Sequence, residues 1–163
     1  MTTHVLRLRV DVGRQILELW QGEHLLRTFP VSTAAKGVGE RKGSEQTPRG
    51  THYIRARIGG DLPAGAVLCG RRFTGEIWSE ALARANPDRD WILSRILWLC
   101  GCERGRNRLG DVDSQQRYIY IHGTPETEPM GVPRSHGCIR MRNTDVIALF
   151  DLVPVGTPVD IVA

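Results

Sequence analysis

The first third of the chain is cut into short apolar runs by glycine-bearing turns, and that rhythm restricts it to β architectures. Val5 to Val10 sets Leu6, Leu8 and Val10 against Val5, Arg7 and Arg9, a period of two that gathers apolar side chains on one face. Gln15 to Trp20 and Leu25 to Val31 follow as further runs. Val12-Gly13-Arg14 and Gln21-Gly22-Glu23 between them read as hairpin turns, so the three runs form a meander. A polar, glycine-bearing loop from Lys36 to Arg49 separates them from a fourth run, Thr51 to Ile58. Tyr118 to Ile121 and Pro158 to Val162 supply two more strands.

Between these the period changes. Ile77 to Ala85 suits a short helix closed by Asn86-Pro87, and Asp88 or Asp90 is placed to cap a second helix from Trp91 to Cys100. That second segment is apolar nearly all round. It is expected either to lie buried between neighbours or, through Trp91, Ile92, Trp98 and Leu99, to cap part of a site. Asn143 or Thr144 is placed to cap a further helix, Asp145 to Leu152, stopped by Pro154. No repeat or linker divides the 163 residues, which suffice for one domain with a sizeable core.

The chemistry is concentrated in Ser135-His136-Gly137-Cys138-Ile139-Arg140-Met141, with His122 upstream in Ile121-His122-Gly123-Thr124-Pro125. A thiol attacks a carbonyl as thiolate, so a reactive cysteine calls for an imidazole or a positive field to lower a pKa of about 8.5. Cys138 lies among polar and charged residues, as a nucleophile does and a buried structural thiol does not. His122, at the end of an apolar strand before a glycine, is read as general base, the other reading being a core histidine. His136 either shapes the site and polarises the substrate or steadies a turn. The Gly137 and Cys138 N–H groups are candidates for an oxyanion hole. Ser135 is expected to hydrogen-bond within the loop, and Gly137 lets backbone approach a substrate. Arg140 shares a face with Cys138 in an extended segment, either to receive a substrate carboxylate or to make a structural ion pair.

These residues resemble the catalytic motif of the YkuD-like L,D-transpeptidase family, in which an upstream histidine, a loop and then Ser/Thr-His-Gly-Cys follow in order. The family's histidine falls on His122 and its nucleophile on Cys138, with Ser135, His136 and Gly137 completing the match. Thr47-Pro48-Arg49-Gly50-Thr51 looks like the family's Thr-Pro-x-Gly-Thr, and Phe29-Pro30-Val31-Ser32-Thr33 like the strand leading into it. Many members carry asparagine where this chain has Arg140, although a large branch has Ile-Arg-Met or Ile-Arg-Leu. The resemblance implies a mainly β fold, a twisted mixed sheet folded on itself, as one catalytic domain over 1–163 with a short helical insertion at about 59–117. It also implies that the Gly123 carbonyl fixes the His122 tautomer. The reaction implied is thioester formation on a peptidoglycan tetrapeptide stem or muropeptide with loss of D-alanine. Water as acceptor makes an L,D-carboxypeptidase, and a second stem's amine makes a 3,3-crosslinking L,D-transpeptidase. Acylation by carbapenems is part of the same implication, and an inactive fragment sensor is the alternative from another class, disfavoured by intact His122 and Cys138.

Composition narrows the partners. All but two of the 22 basic side chains are arginine, yet they are scattered at a net charge of only +4, without the basic stripe and interleaved aromatics of a nucleic-acid binder. Arg104-Gly105-Arg106-Asn107-Arg108 is the only dense cluster and reads as a solvated loop. No run reaches the roughly 20 apolar residues of a membrane span, and Met1-Thr2-Thr3-His4 leads straight into strand without the stages of a signal peptide. With Cys138 committed to chemistry, Cys69, Cys100 and Cys102 leave an odd number for disulfides. A reducing, cytoplasmic location is expected, and with it recycling rather than wall synthesis. No cofactor is called for. A zinc site at His122, His136 and Cys138 lacks any supporting ligand pair and is not expected.

Overall fold

The computed structural model describes residues 5–163; the leaderless start read at Met1 to His4 lies outside the described residues. Strands β1 (Leu6–Asp11), β2 (Ile16–Gln21) and β3 (His24–Pro30) form the expected antiparallel meander. β4 (Gly50–Ile58) pairs with the last strand, β10 (Pro158–Val162), which also lies parallel to β1 and so joins the two ends of the chain. Leu8, Val10, Leu17, Leu19, Ile54, Val159 and Ile161 bury their alternate side chains in one core, as the period of two requires.

The segment from 59 to 117 departs from expectation. Its apolar stretch is a strand, β7 (Ile92–Gly101), and not a capped helix. The reason is its position: Ile96 pairs with Ile58 of β4 on one side and with His122 of β8 (Tyr120–Thr124) on the other. A central strand covered on both faces is apolar at nearly every residue, a pattern that a buried helix shares. Leu93, Ile96, Leu97 and Leu99 are fully buried, so Leu99 belongs to the core and caps nothing. A short hairpin, β5 (Ala66–Cys69) and β6 (Arg72–Ile77), pairs through β5 with the start of β7. The helix expected from Ile77 is α1 (Glu80–Ala85), capped by Ser79, whose Oγ accepts from Leu82 N–H at 3.0 Å.

β9 (Ile139–Arg142) runs parallel to β8, and α2 (Asn143–Leu152) follows at once and packs on β7, β8 and β9 through Val146, Leu149 and Phe150. Asn143 does not cap α2. Its amide instead donates to the Thr124 carbonyl at 3.1 Å, while its Oδ1 accepts from Ser94 Oγ at 2.7 Å, tying β7, β8 and the helix together. The described residues form one curled, mixed sheet of ten strands with two α-helices, mainly β in class.

Candidate active site

The parallel pair β8–β9 builds the site. Its register sets Ile121 beside Ile139 and His122 beside Arg140. Side chains alternate across a strand, so Ile121, Ile139 and Met141 point into the core, fully buried, while Tyr120, His122, Cys138 and Arg140 share the opposite face. That face opens into a cavity of about 500 Å3, which Arg71, Asp90, Ile92, Tyr118 and His136 also line.

Cys138 sits one residue before β9, opposite Tyr120. The Tyr120 N–H donates to its sulfur at 3.3 Å, and the thiol donates to the Tyr118 carbonyl, also at 3.3 Å. His122, 1% exposed, places Nδ1 2.7 Å from the Gly123 carbonyl. A carbonyl can only accept, so Nδ1 carries the proton and Nε2 presents a lone pair, the tautomer a base needs. Gly123 cannot be larger, because a Cβ there would overlap the Leu93 carbonyl and the Asn143 side chain.

The loop before Cys138 is pinned from a distance. Thr47, in the Thr-Pro-x-Gly-Thr segment, donates from Oγ1 to the Gly137 carbonyl at 2.9 Å and accepts from Ala34 N–H at 3.0 Å. Ser32 donates to the Val132 carbonyl and accepts from Arg134 N–H, and Ser135 donates to the Cys138 carbonyl. Gly137 adopts φ +133°, where a side chain would be strained. Its N–H donates to Ser135 Oγ at 3.2 Å, so it is already engaged, and the oxyanion expectation rests first on the Cys138 N–H. Thr47→Val is expected to strand two buried backbone groups, Ala34 N–H and Gly137 C=O, costing about 1–3 kcal/mol. A lower urea midpoint at unchanged m-value checks it.

His136 stands at the cavity rim with its side chain 63% exposed and Nδ1 3.9 Å from Asp90 Oδ2. Arg140 lines the cavity, yet its side chain is 10% exposed and its fork is occupied: Nη2 lies 3.3 Å from Asp90 Oδ1 and Nη1 3.6 Å from Glu128 Oε2. Of the two readings left open by sequence, the geometry matches the ion pair; any substrate carboxylate would have to displace two protein carboxylates. Asp90 therefore belongs to the site wall and caps no helix.

The charge state of the pair differs from the sequence expectation of a lowered thiol. Cys138 is half-buried at the cavity surface, yet burial of its sulfur is the largest influence and pushes the thiol up to about 12. The Tyr120 N–H opposes this, Asp90 adds to it, and Arg140 and Arg117 oppose it. Burial likewise holds His122 below its usual value, against the Gly123 bond and Asp90, which raise it. Both shifts favour the thiol and the neutral imidazole over the ion pair. Alkylation of Cys138 by iodoacetamide is accordingly expected to keep accelerating beyond about pH 9. A rate that levels off near neutrality would show a resting thiolate.

Sequence reasoning passed over Asp90, Tyr118, Tyr120, Arg71 and Arg117. Tyr118 and Tyr120 act on the sulfur through backbone groups, which carry no side-chain signature. Arg117 donates to the Gln46 carbonyl at 2.7 Å and the Glu40 carbonyl at 3.1 Å, clamping the loop beside Cys138. Among the described residues no cluster of His, Cys, Asp and Glu is arranged to hold a metal, and no helix is long and apolar enough to cross a membrane.

The family model for YkuD, the L,D-transpeptidase catalytic domain, matches residues 6–161. The chain is 50% identical over 155 residues to the putative L,D-transpeptidase YkuD of Bacillus licheniformis, covering 95% of this chain and 64% of that protein. It is 52% identical over 127 residues to the probable L,D-transpeptidase ErfK/SrfK of Salmonella typhimurium, covering 71% of this chain and 39% of that one. The chain thus spans less than two thirds of these relatives' lengths. In fold it is similar to L,D-transpeptidase 3 from Mycobacterium tuberculosis, solved in complex with a faropenem-derived adduct, at TM-score 0.60 and 13% identity, over 98% of this chain and 61% of that one. With the catalytic motif on one face of β8–β9 and the family's match running almost end to end, this chain belongs to the YkuD family of L,D-transpeptidase catalytic domains.

Proposed function

We propose that Cys138 attacks the carbonyl at the L-centre of the diamino acid in the third position of a peptidoglycan tetrapeptide stem. The observation that carries this reading is the β8–β9 pair, which sets the Cys138 sulfur against Tyr120 on the cavity face that also bears His122, with Nδ1 tied to Gly123. The thiol proton passes to His122 Nε2 as the S–C bond forms, and the Cys138 N–H faces the developing oxyanion. The C–N bond then breaks, and the imidazolium proton goes to the departing D-alanine amine. Water resolves the thioester, giving its proton to His122, and the thiol is restored.

Hydrolysis is the outcome we favour. A cavity of about 500 Å3 suits a single stem, and four unpaired cysteines fit a reducing cytoplasm in which free muropeptides are recycled. Transpeptidation is the second reading, supported by the relatives named above as L,D-transpeptidases. Incubation with free tetrapeptide and with disaccharide-tetrapeptide, followed by mass analysis, distinguishes them. Monomeric tripeptide with D-alanine is expected; crosslinked dimer would establish transpeptidation, and neither product would overturn both. Activity is expected to survive exhaustive chelation, and loss restored by zinc would contradict the thiol mechanism. Acylation of Cys138 by a carbapenem is a further expectation, read as a mass increase on the intact protein.

A further inference from the structure

We propose that Arg71 receives the terminal carboxylate of the substrate, a specificity role that rests on the reaction proposed above. A tetrapeptide stem ends in a carboxylate one residue beyond the scissile bond, so a pocket that prefers it needs a cation near Cys138. Two arginines line the cavity. Arg140 is held between Asp90 and Glu128, whereas among the described residues no carboxylate lies within ion-pair reach of Arg71.

Arg71 is also held in place. It sits at the tip of the β5–β6 hairpin, where Gly70 and Arg71 have φ of +54° and +65°, the left-handed pair of a tight hairpin turn. A long side chain is uncommon at such an angle. Its guanidinium carbon lies 4.7 Å from the Trp98 ring centre and 5.0 Å from that of Tyr118, and Nη1 donates to the Tyr120 hydroxyl at 3.0 Å. Stacking and one hydrogen bond fix the plane of the fork while Nε and Nη2 keep their protons for a ligand. Tyr120 is the residue whose N–H touches the Cys138 sulfur. One residue therefore links the cation to the nucleophile, and a bidentate carboxylate on Arg71 would orient the stem relative to the thiol.

Binding is measured on Cys138→Ala protein, which separates recognition from turnover. Arg71→Gln retains a donor for Tyr120 but no charge, and Arg71→Lys retains charge without the fork. Calorimetry with free-acid tetrapeptide is expected to show Kd raised roughly tenfold to a hundredfold by Arg71→Gln, the range of a lost charged hydrogen bond, and less by Arg71→Lys. Tetrapeptide amidated at its terminal carboxyl is expected to bind weakly and equally to all three. Equal weakening of both peptides by Arg71→Gln would overturn the assignment, and so would a loss that tracks amidation of the diamino acid's side-chain carboxyl. Failure of the free-acid tetrapeptide to bind at all would overturn it too. Release of D-alanine by the unmodified protein is assayed alongside, so that failure of the reaction and failure of Arg71 as its carboxylate site are read independently.

Discussion

Replacing Cys138 by alanine is expected to abolish release of D-alanine from tetrapeptide while leaving the fold in place. Cys138 supplies the one thiol among the residues that line the cavity, and removing it leaves no route to a thioester there. Its packing partners are few: Cys138 lies at the edge of the small cluster of Leu68, Ile96 and Tyr120, outside the main core. Truncation should therefore cost little stability, and a melting temperature near that of the parent protein is the control. Serine at the same position is expected to be nearly as inactive, because its hydroxyl is a far weaker acid and His122 has no carboxylate behind it to strengthen it as a base, only the Gly123 carbonyl. Retained turnover in Cys138→Ala would remove the nucleophile from the account.

Replacing His122 by alanine is the second large effect, a loss of roughly 10²- to 10⁴-fold, the contribution of a positioned general base. The structure makes the demand on this residue heavy, because a thiol pushed up to about 12 will not ionise unaided near neutrality. The same burial predicts the pH profile. In the proposed role as base His122 must be neutral imidazole, and burial holds its pKa below the usual value. Activity should thus persist as pH falls past the ordinary histidine range of about 6.5 and fail only below it. An acid limb at or above the ordinary value would contradict a buried, neutral base. His136→Ala should cost less, since that ring is exposed at the rim. The reverse order in single-turnover acylation would exchange their roles.

Much of the fold is legible where chemistry and period coincide. β1, the strand after Thr47-Pro48 and the closing strand announce themselves because buried side chains alternate with more exposed ones, so that a period of two survives in the sequence, while β2 and β3 are marked by the glycine turns that bound them. β7 defeats the same rule because both its edges and both its faces are covered; Trp91 to Cys100 carries no alternation to read. The β5–β6 hairpin goes unnoticed for the opposite reason, since Arg72, Phe73, Thr74 and Gly75 are all exposed. In the candidate site, Cys138 and His122 stand out because a thiol and an imidazole carry their chemical character in the side chain itself. The wall around them does not, because Asp90, Arg71 and the backbone of Tyr118 and Tyr120 reach the sulfur's neighbourhood only through strand pairing. Even the sign of the thiol's shift was hidden: nearby arginines and histidines are visible in sequence, whereas the burial that outweighs them is a property of the folded sheet.

In the proposed reaction a stem peptide becomes a thioester on Cys138. The direct measurement is the intact mass of the protein, acid-quenched in milliseconds to seconds after mixing with excess tetrapeptide, followed by peptide mapping. The expected result is an added mass equal to the tripeptide acyl group, located on the peptide containing Cys138 and absent from Cys138→Ala. D-alanine released while that peptide stays unmodified at every time, with Cys138→Ala releasing it equally well, would show that the reaction does not pass through Cys138.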